Sequence, residues 1–244
     1  MLAALAMITA PAAAQWKVPW SYEGARGPDH WAELDPSYAP CAGKQQSPVD
    51  IRATEKADLP PLGFEYHSAP LRYLTNNGKT IRVNYHDHVS AGALMVDGKR
   101  YELTQFHFHH PSEEQLNGQS FPMVVHLMHQ SADSKVVGVA VMVVAGAANE
   151  TVAKVWEHMP ATEGAEHQIP GVDVDPTALI PQSLGYYSYE GSVTAPPCTE
   201  RVTWFILKTP VSLSQKQIDA FAKLFPNDVR PVQPLNGRVI KESR

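Results

Sequence analysis

Apolar residues fall along the chain in short runs separated by turn-forming residues. Thr80–Tyr85, Arg100–Phe108, Pro122–His129, Val136–Val144 and Arg201–Leu207 are rich in Val, Ile, Phe, Tyr and Thr, the side chains that suit extended backbone. Asn76-Asn77-Gly78, Asp97-Gly98 and Asn117-Gly118 punctuate them as turns. The gap between the two central runs is too short for a parallel crossover helix, so neighbouring strands are expected to be antiparallel. Helical signal is thin, with Glu150–His158 and Ser214–Leu224 the best candidates. No internal repeat and no linker divides the chain. The pattern predicts an α+β, mainly β protein: a single domain around a large, twisted, mostly antiparallel β-sheet with a few short helices.

Composition narrows the function. The 244 residues carry 20 Lys and Arg against 25 Asp and Glu, a formal net charge of −5, so the basic excess of a nucleic-acid binder is missing. Residues 1–14 are apolar and alanine-rich without charge, too short for the roughly 20 residues of a membrane span. The small residues Ala12-Ala13-Ala14 suit signal-peptidase cleavage, although a basic segment ahead of the apolar run is missing. The expected organisation is a signal-peptide remnant at 1–14 and one domain at 15–244, in a periplasmic or secreted protein with no membrane span. Cys41 and Cys198 are the only cysteines. In an exported chain such a pair suggests one disulfide, with two unrelated buried thiols as the alternative.

The sequence has 11 histidines, and three of them stand out by position. In Gln105-Phe106-His107-Phe108-His109, residues two apart share one face of a strand, so His107 and His109 project together while the phenylalanines enter the opposite core. An antiparallel neighbour can bring His126 opposite them. Three neutral imidazoles on two rigid strands leave a fourth tetrahedral position open, the layout of a catalytic rather than a structural zinc site. A polar strand face with ordinary histidines is the plainer alternative. His107-x-His109-x3-Glu113 also resembles the first motif of the cupins, which bind iron or manganese, but their second motif has no match downstream.

Further motifs join this one in order: Trp20-Ser-Tyr22, Gly27-Pro-Asp-His-Trp31, Gln46-Ser-Pro-Val-Asp-Ile51, Pro111-Ser-Glu113, His126-Leu-Met-His129, Gly191-Ser-Val-Thr194-Ala-Pro-Pro197 and Gln233-Pro-Leu-Asn-Gly-Arg238. Together they make the chain resemble a bacterial α-class carbonic anhydrase from about Trp20 to Lys241. The resemblance implies one Zn2+ per chain on His107, His109 and His126, and reversible hydration of CO2 to bicarbonate and a proton by zinc-bound hydroxide. It also implies a Cys41–Cys198 bridge and inhibition by anions and sulfonamides, and it leaves a homodimer open. Thr194 matches the threonine that accepts a hydrogen bond from the hydroxide and donates its own proton to Glu113. Met128, Val136, Val193 and Trp204 match the apolar wall that holds CO2, with Ala195 in place of a second threonine. Tyr22 and Asn77 match the polar side of the cavity, where Arg82 should also face.

Two departures matter. Gln105 can accept the free N–H of His107, and His109 is expected to use a backbone carbonyl near Gly237. His126, however, follows Val124, where the family usually carries an accepting Glu. A valine accepts nothing, so His126 must bond water, find another acceptor such as Glu114, or stay unsupported. Lys79 stands where active members often place a proton-shuttle histidine. An exposed lysine, with a pKa near ~10.4, is almost never free to take a proton at pH 7. Proton export is therefore expected to limit turnover, unless His67, His86 or His88 substitutes. A catalytically silent domain of the same fold used for binding is the rival from another class, although such domains usually lose a zinc histidine and this chain keeps all three.

Overall fold

The computed structural model describes residues 18–244, so the expected leader at 1–14 lies outside the described residues. Eleven strands form one sheet: β1 (Glu55–Ala57), β2 (Leu62–Tyr66), β3 (Tyr73–Asn76), β4 (Ile81–Asn84), β5 (Gly92–Val96), β6 (Lys99–His109), β7 (Met123–Gln130), β8 (Val136–Ala145), β9 (Tyr186–Ser192), β10 (Glu200–Leu213) and β11 (Lys241–Ser243). Their spatial order is β1-β11-β9-β10-β8-β7-β6-β4-β3, with β5 pairing both β6 and β2. The pairs β8–β10 and β11–β1 are parallel and the others antiparallel, as the pattern led one to expect for most of the sheet. Helices α1 (Trp31–Leu34), α2 (Glu150–Glu157) and α3 (Gln215–Ala222) are short. Asn149 caps α2 by accepting the Val152 N–H, and Ser214 with Gln217 forms a capping box on α3, which is why these two segments start where they do.

The central strands are buried on both faces. Val125, Leu127, Val139, Val141, Phe205 and Leu207 belong to the larger core, together with Phe106, Phe108 and Phe221. The alternate positions Val124, Met128, Ala140, Met142, Trp204 and Ile206 form a second cluster on the other face. The functional histidines sit on this second face. Gly138 lies opposite Trp204 in the β8–β10 ladder, and a Cβ there would meet the indole at 2.6 Å. A glycine at this point is what lets the Trp204 ring lie flat on the strand and reach His126, centroid to centroid 4.7 Å.

Candidate active site and metal centre

β6 and β7 run antiparallel with His107 directly opposite His126 and His109 opposite Val124. Alternation sends Phe106 and Phe108, both fully buried, to the far side of β6. The three imidazoles converge, with centroid separations of 5.0, 5.2 and 4.9 Å, and one ring nitrogen from each lies within 4.8 Å of the others.

Each ring is held by its outer nitrogen. Nδ1–H of His107 donates to Gln105 Oε1 at 2.8 Å, as the sequence suggested. Nδ1–H of His109 donates to the backbone carbonyl of Asp228 at 2.6 Å, not to one near Gly237. The chain path is the cause: the 226–230 segment is the part of the C-terminal chain bound to the end of β6, where Asp228 Oδ1 also accepts the His110 N–H at 2.8 Å. Val124 is fully buried among aliphatic side chains and gives His126 nothing. The acceptor is Glu114, whose two oxygens lie 3.0 and 3.1 Å from His126 Nε2.

The inner nitrogens are left for something else. His109 Nε2 and His126 Nδ1 are buried without a hydrogen-bond partner. Burial, then repulsion from the neighbouring rings and Arg82, holds His107 well below the ordinary imidazole range, and burial with His126 does the same to His109. Burial also depresses His126, but the charge and hydrogen bonds of Glu114, with Glu113, outweigh it and raise the net value. Neutral lone pairs buried and aimed at a common point fit a divalent transition metal, and an all-imidazole donor set suits zinc.

Glu113 and Thr194 are buried beside the triad. Glu113 Oε1 accepts the Arg230 N–H at 2.8 Å, and Oε2 lies 3.4 Å from His109 Nε2. Burial pushes this carboxyl up to about 7, with neighbouring Glu114 adding to the rise, while His126, Arg230 and the Thr194 hydroxyl oppose it. Tyr22 is pushed well above the usual phenol range, mainly by burial and then by Glu113 and Asp228, so it remains an O–H donor.

A cavity of about 250 Å³ opens onto the triad. Tyr22, Asn77, Lys79, Arg82 and Gln105 line it together with Met128, Val193, Thr194, Ala195 and Trp204. Arg82 is directly opposite His107 in the β4–β6 ladder. Val136 is the exception. It packs against the Met128–Trp204 cluster and, with Val193, lines a neighbouring groove instead. Lys79 Nζ donates to the Gly78 carbonyl at 3.3 Å and stands 5.3 Å from the Trp20 ring centre. His67, His86 and His88 are not among the lining residues; His86 is held 3.0 Å from both Asp87 and Glu166. Trp20, Thr80, Pro196 and Pro197 line the cavity without having been singled out for it.

Cys41 and Cys198 are disulfide-bonded across 157 residues. The bond ties the Pro36–Ala42 segment to the loop that carries Thr194, where the Cys198 N–H also donates to the Ala195 carbonyl at 2.8 Å. Arg230 was not anticipated. Its buried guanidinium donates to Gln46, Ser47 and the Cys41 carbonyl, so one residue braces both the disulfide and Glu113.

The sequence profile described as eukaryotic-type carbonic anhydrase matches residues 26–244. The chain belongs to the α-class carbonic anhydrase family. A carbonic anhydrase of Klebsiella pneumoniae is 43% identical over 226 residues, covering 91% of this chain and 90% of that one. One from Nostoc sp. is 37% identical over 242 residues, covering 97% and 90%. The solved α-carbonic anhydrase of Thermovibrio ammonificans, in complex with the inhibitor sulfanilamide, superposes with a TM-score of 0.86 at 39% identity, covering 93% of this chain and all of that one. The carbonic anhydrase fold therefore stands, and so does enzymatic activity of the CO2-hydrating kind. The cupin reading falls with the same observations.

Proposed function

We propose that His107, His109 and His126 hold one zinc ion and that the protein, through a domain at 15–244, interconverts CO2 and bicarbonate in the periplasm or outside the cell. The observation that carries this reading is the division of labour on each ring. Every outer nitrogen has an acceptor, and the inner nitrogens of two fully enclosed rings have none. Zinc held there would make a coordinated water ionise near pH ~7, far below bulk water, as is established for this enzyme family.

The chain's own residues do the rest. Thr194 donates its hydroxyl proton to Glu113, which leaves the threonine oxygen free to accept from a nucleophile and so selects ligands that carry a proton. Glu113 is kept in place by the Arg230 N–H and acts through that hydroxyl. Met128, Val193 and Trp204 present an apolar surface to CO2 opposite the polar side of Tyr22, Asn77 and Arg82. Ala195 in place of a second threonine widens the cavity and removes a hydroxyl. Lys79 occupies the rim where a proton relay is needed and is itself engaged with Gly78 and Trp20, so proton export limits turnover. Small anions and sulfonamides inhibit by occupying the same cavity, a reading supported by the sulfanilamide complex of the Thermovibrio enzyme. The disulfide supports an oxidising compartment.

Replacing any one of the three histidines by alanine tests the assignment. Each variant is expected to lose stoichiometric zinc and CO2 hydration together. A variant that keeps both would remove that histidine from the ligand set.

A further inference from the structure

His126 and Val124 share a face of β7, two residues apart, so the natural place for a carboxylate serving His126 is position 124. This chain fills that place with a fully buried valine packed in the cluster with Ile51, Met142 and Ile240. A carboxylate reaches the ring all the same, from a different element. Glu114 lies between Glu113 and the short strand Gln115–Leu116, which pairs in parallel with Asp50–Ile51. Its backbone is fixed on both sides: the Ser112 hydroxyl donates to the Glu114 carbonyl at 2.7 Å, and the Gln115 N–H donates to Val49 at 3.3 Å.

The side chain of Glu114 is fully buried, and His126 is its sole hydrogen-bond or ion-pair partner among the described residues. A carboxylate withdrawn from water is costly unless it is paired, and here both oxygens are spent on one N–H. On the sheet, Ala140 lies directly opposite His126 in the β7–β8 ladder and the Trp204 ring packs against the imidazole, so the neighbouring strands offer Nε2 no acceptor. The arrangement fixes Nε2 as the protonated nitrogen, so Nδ1, buried without a hydrogen-bond partner and 3.8 Å from Glu113 Oε2, carries the lone pair toward His107 and His109.

We infer that Glu114 is the positioning residue of the third metal ligand, a function moved from the ligand's own strand to the residue after Glu113. The inference rests on the zinc reading above. Two consecutive glutamates then serve the site in different ways: Glu113 acts on Thr194, and Glu114 fixes the tautomer, orientation and basicity of His126. Outer partners of this kind govern metal affinity by about 10–100-fold.

The test uses the zinc-loaded protein and the rate of zinc loss to excess dipicolinate, read by a colorimetric zinc indicator. Glu114→Gln keeps the volume and an acceptor oxygen but removes the charge, and is expected to release zinc about tenfold faster than wild type. Glu114→Ala should be faster still, and adding Val124→Glu to it should return most of the lost retention. Thermal unfolding of the metal-free proteins checks that the Gln variant is folded, so that faster release reports on the ligand. Zinc loss from Glu114→Gln at the wild-type rate overturns the inference. If instead wild type takes up no stoichiometric zinc, it is the zinc reading that fails; a wild type that binds zinc and hydrates CO2, with an indifferent Glu114→Gln variant, sinks this inference alone.

Discussion

The backbone N–H of Arg230 donates to Oε1 of Glu113 at 2.8 Å across 117 residues of sequence, and this bond decides which carboxylate oxygen faces the site. Oε2 carries no such backbone donor. On the proposed reading it receives the Thr194 proton, and the hydroxyl's lone pairs turn toward the triad.

Glu113→Gln and Thr194→Ala are therefore expected to lower kcat/KM for CO2 hydration by about 10²-fold each, the usual scale for removing one oriented hydrogen-bonding group at a reacting centre. Zinc content should stay at the wild-type level in both, and Thr194→Ser should keep most of the activity. Stopped-flow hydration with parallel metal analysis checks this. Loss of zinc in step with activity would mean that the pair supports the metal instead.

How far the sequence reaches depends on what each residue has to do. The five apolar runs became β4, β6, β7, β8 and β10, because those central strands are buried and their side chains are β-branched or aromatic. The peripheral strands escaped notice for the opposite reason: Glu55–Ala57 is largely exposed, and Tyr186–Ser192 mixes Tyr, Ser, Glu and Gly without a clear period. In the site, Gln105 was legible as the partner of His107 because it is two residues away on the same strand. The partners of His109 and His126 come from Asp228 and Glu114, on other segments, and strand periodicity carries no trace of either. Glu114 could be named from the sequence only as one possible acceptor; the fold shows that it and Glu113 are both buried.

Lys79 sits at the cavity rim, engaged with Gly78 and Trp20, and no histidine other than the triad lines the cavity among the described residues. Release of a proton from a group of pKa ~7 to bulk water runs near ~10³ s⁻¹ when recombination is diffusion-limited, against ~10⁶ s⁻¹ for the fast reaction known in this family. Maximal turnover should rise steeply with imidazole buffer, and Lys79→His should be faster than wild type at low buffer. A high wild-type rate that ignores buffer would place a relay elsewhere.

The Cys41–Cys198 bond closes a 157-residue loop and anchors the turn bearing Thr194. Chain entropy assigns about 5 kcal/mol to a loop of that size as an upper figure. Urea unfolding with and without prior reduction should differ by about 3–5 kcal/mol, and a Cys41→Ser, Cys198→Ser variant should behave like the reduced protein. Coincident unfolding curves would show that the bond is dispensable.

His129 is fully buried on β7 against Tyr66, and burial pulls its imidazole down to about 3. In the unfolded chain a histidine titrates near ~6.5. The folded state therefore binds fewer protons between those values. Its contribution is fully present above pH ~6.5 and is lost as pH falls toward 3, by up to about 1.4 kcal/mol per pH unit. Between pH 7.5 and 5, metal-free wild type should lose about 2 kcal/mol more stability than His129→Gln, read by urea unfolding. Equal losses would contradict a neutral, buried His129.

Zinc removal and return tests the three-histidine metal site. The purified protein is assayed for zinc per chain and for CO2 hydration, then stripped with dipicolinate, assayed, and reconstituted with one equivalent of ZnCl2. The three-histidine site predicts one zinc per chain, activity that disappears on stripping, and activity that returns with zinc. Hydration that persists in the stripped protein, or a folded protein that takes up no zinc, would contradict it.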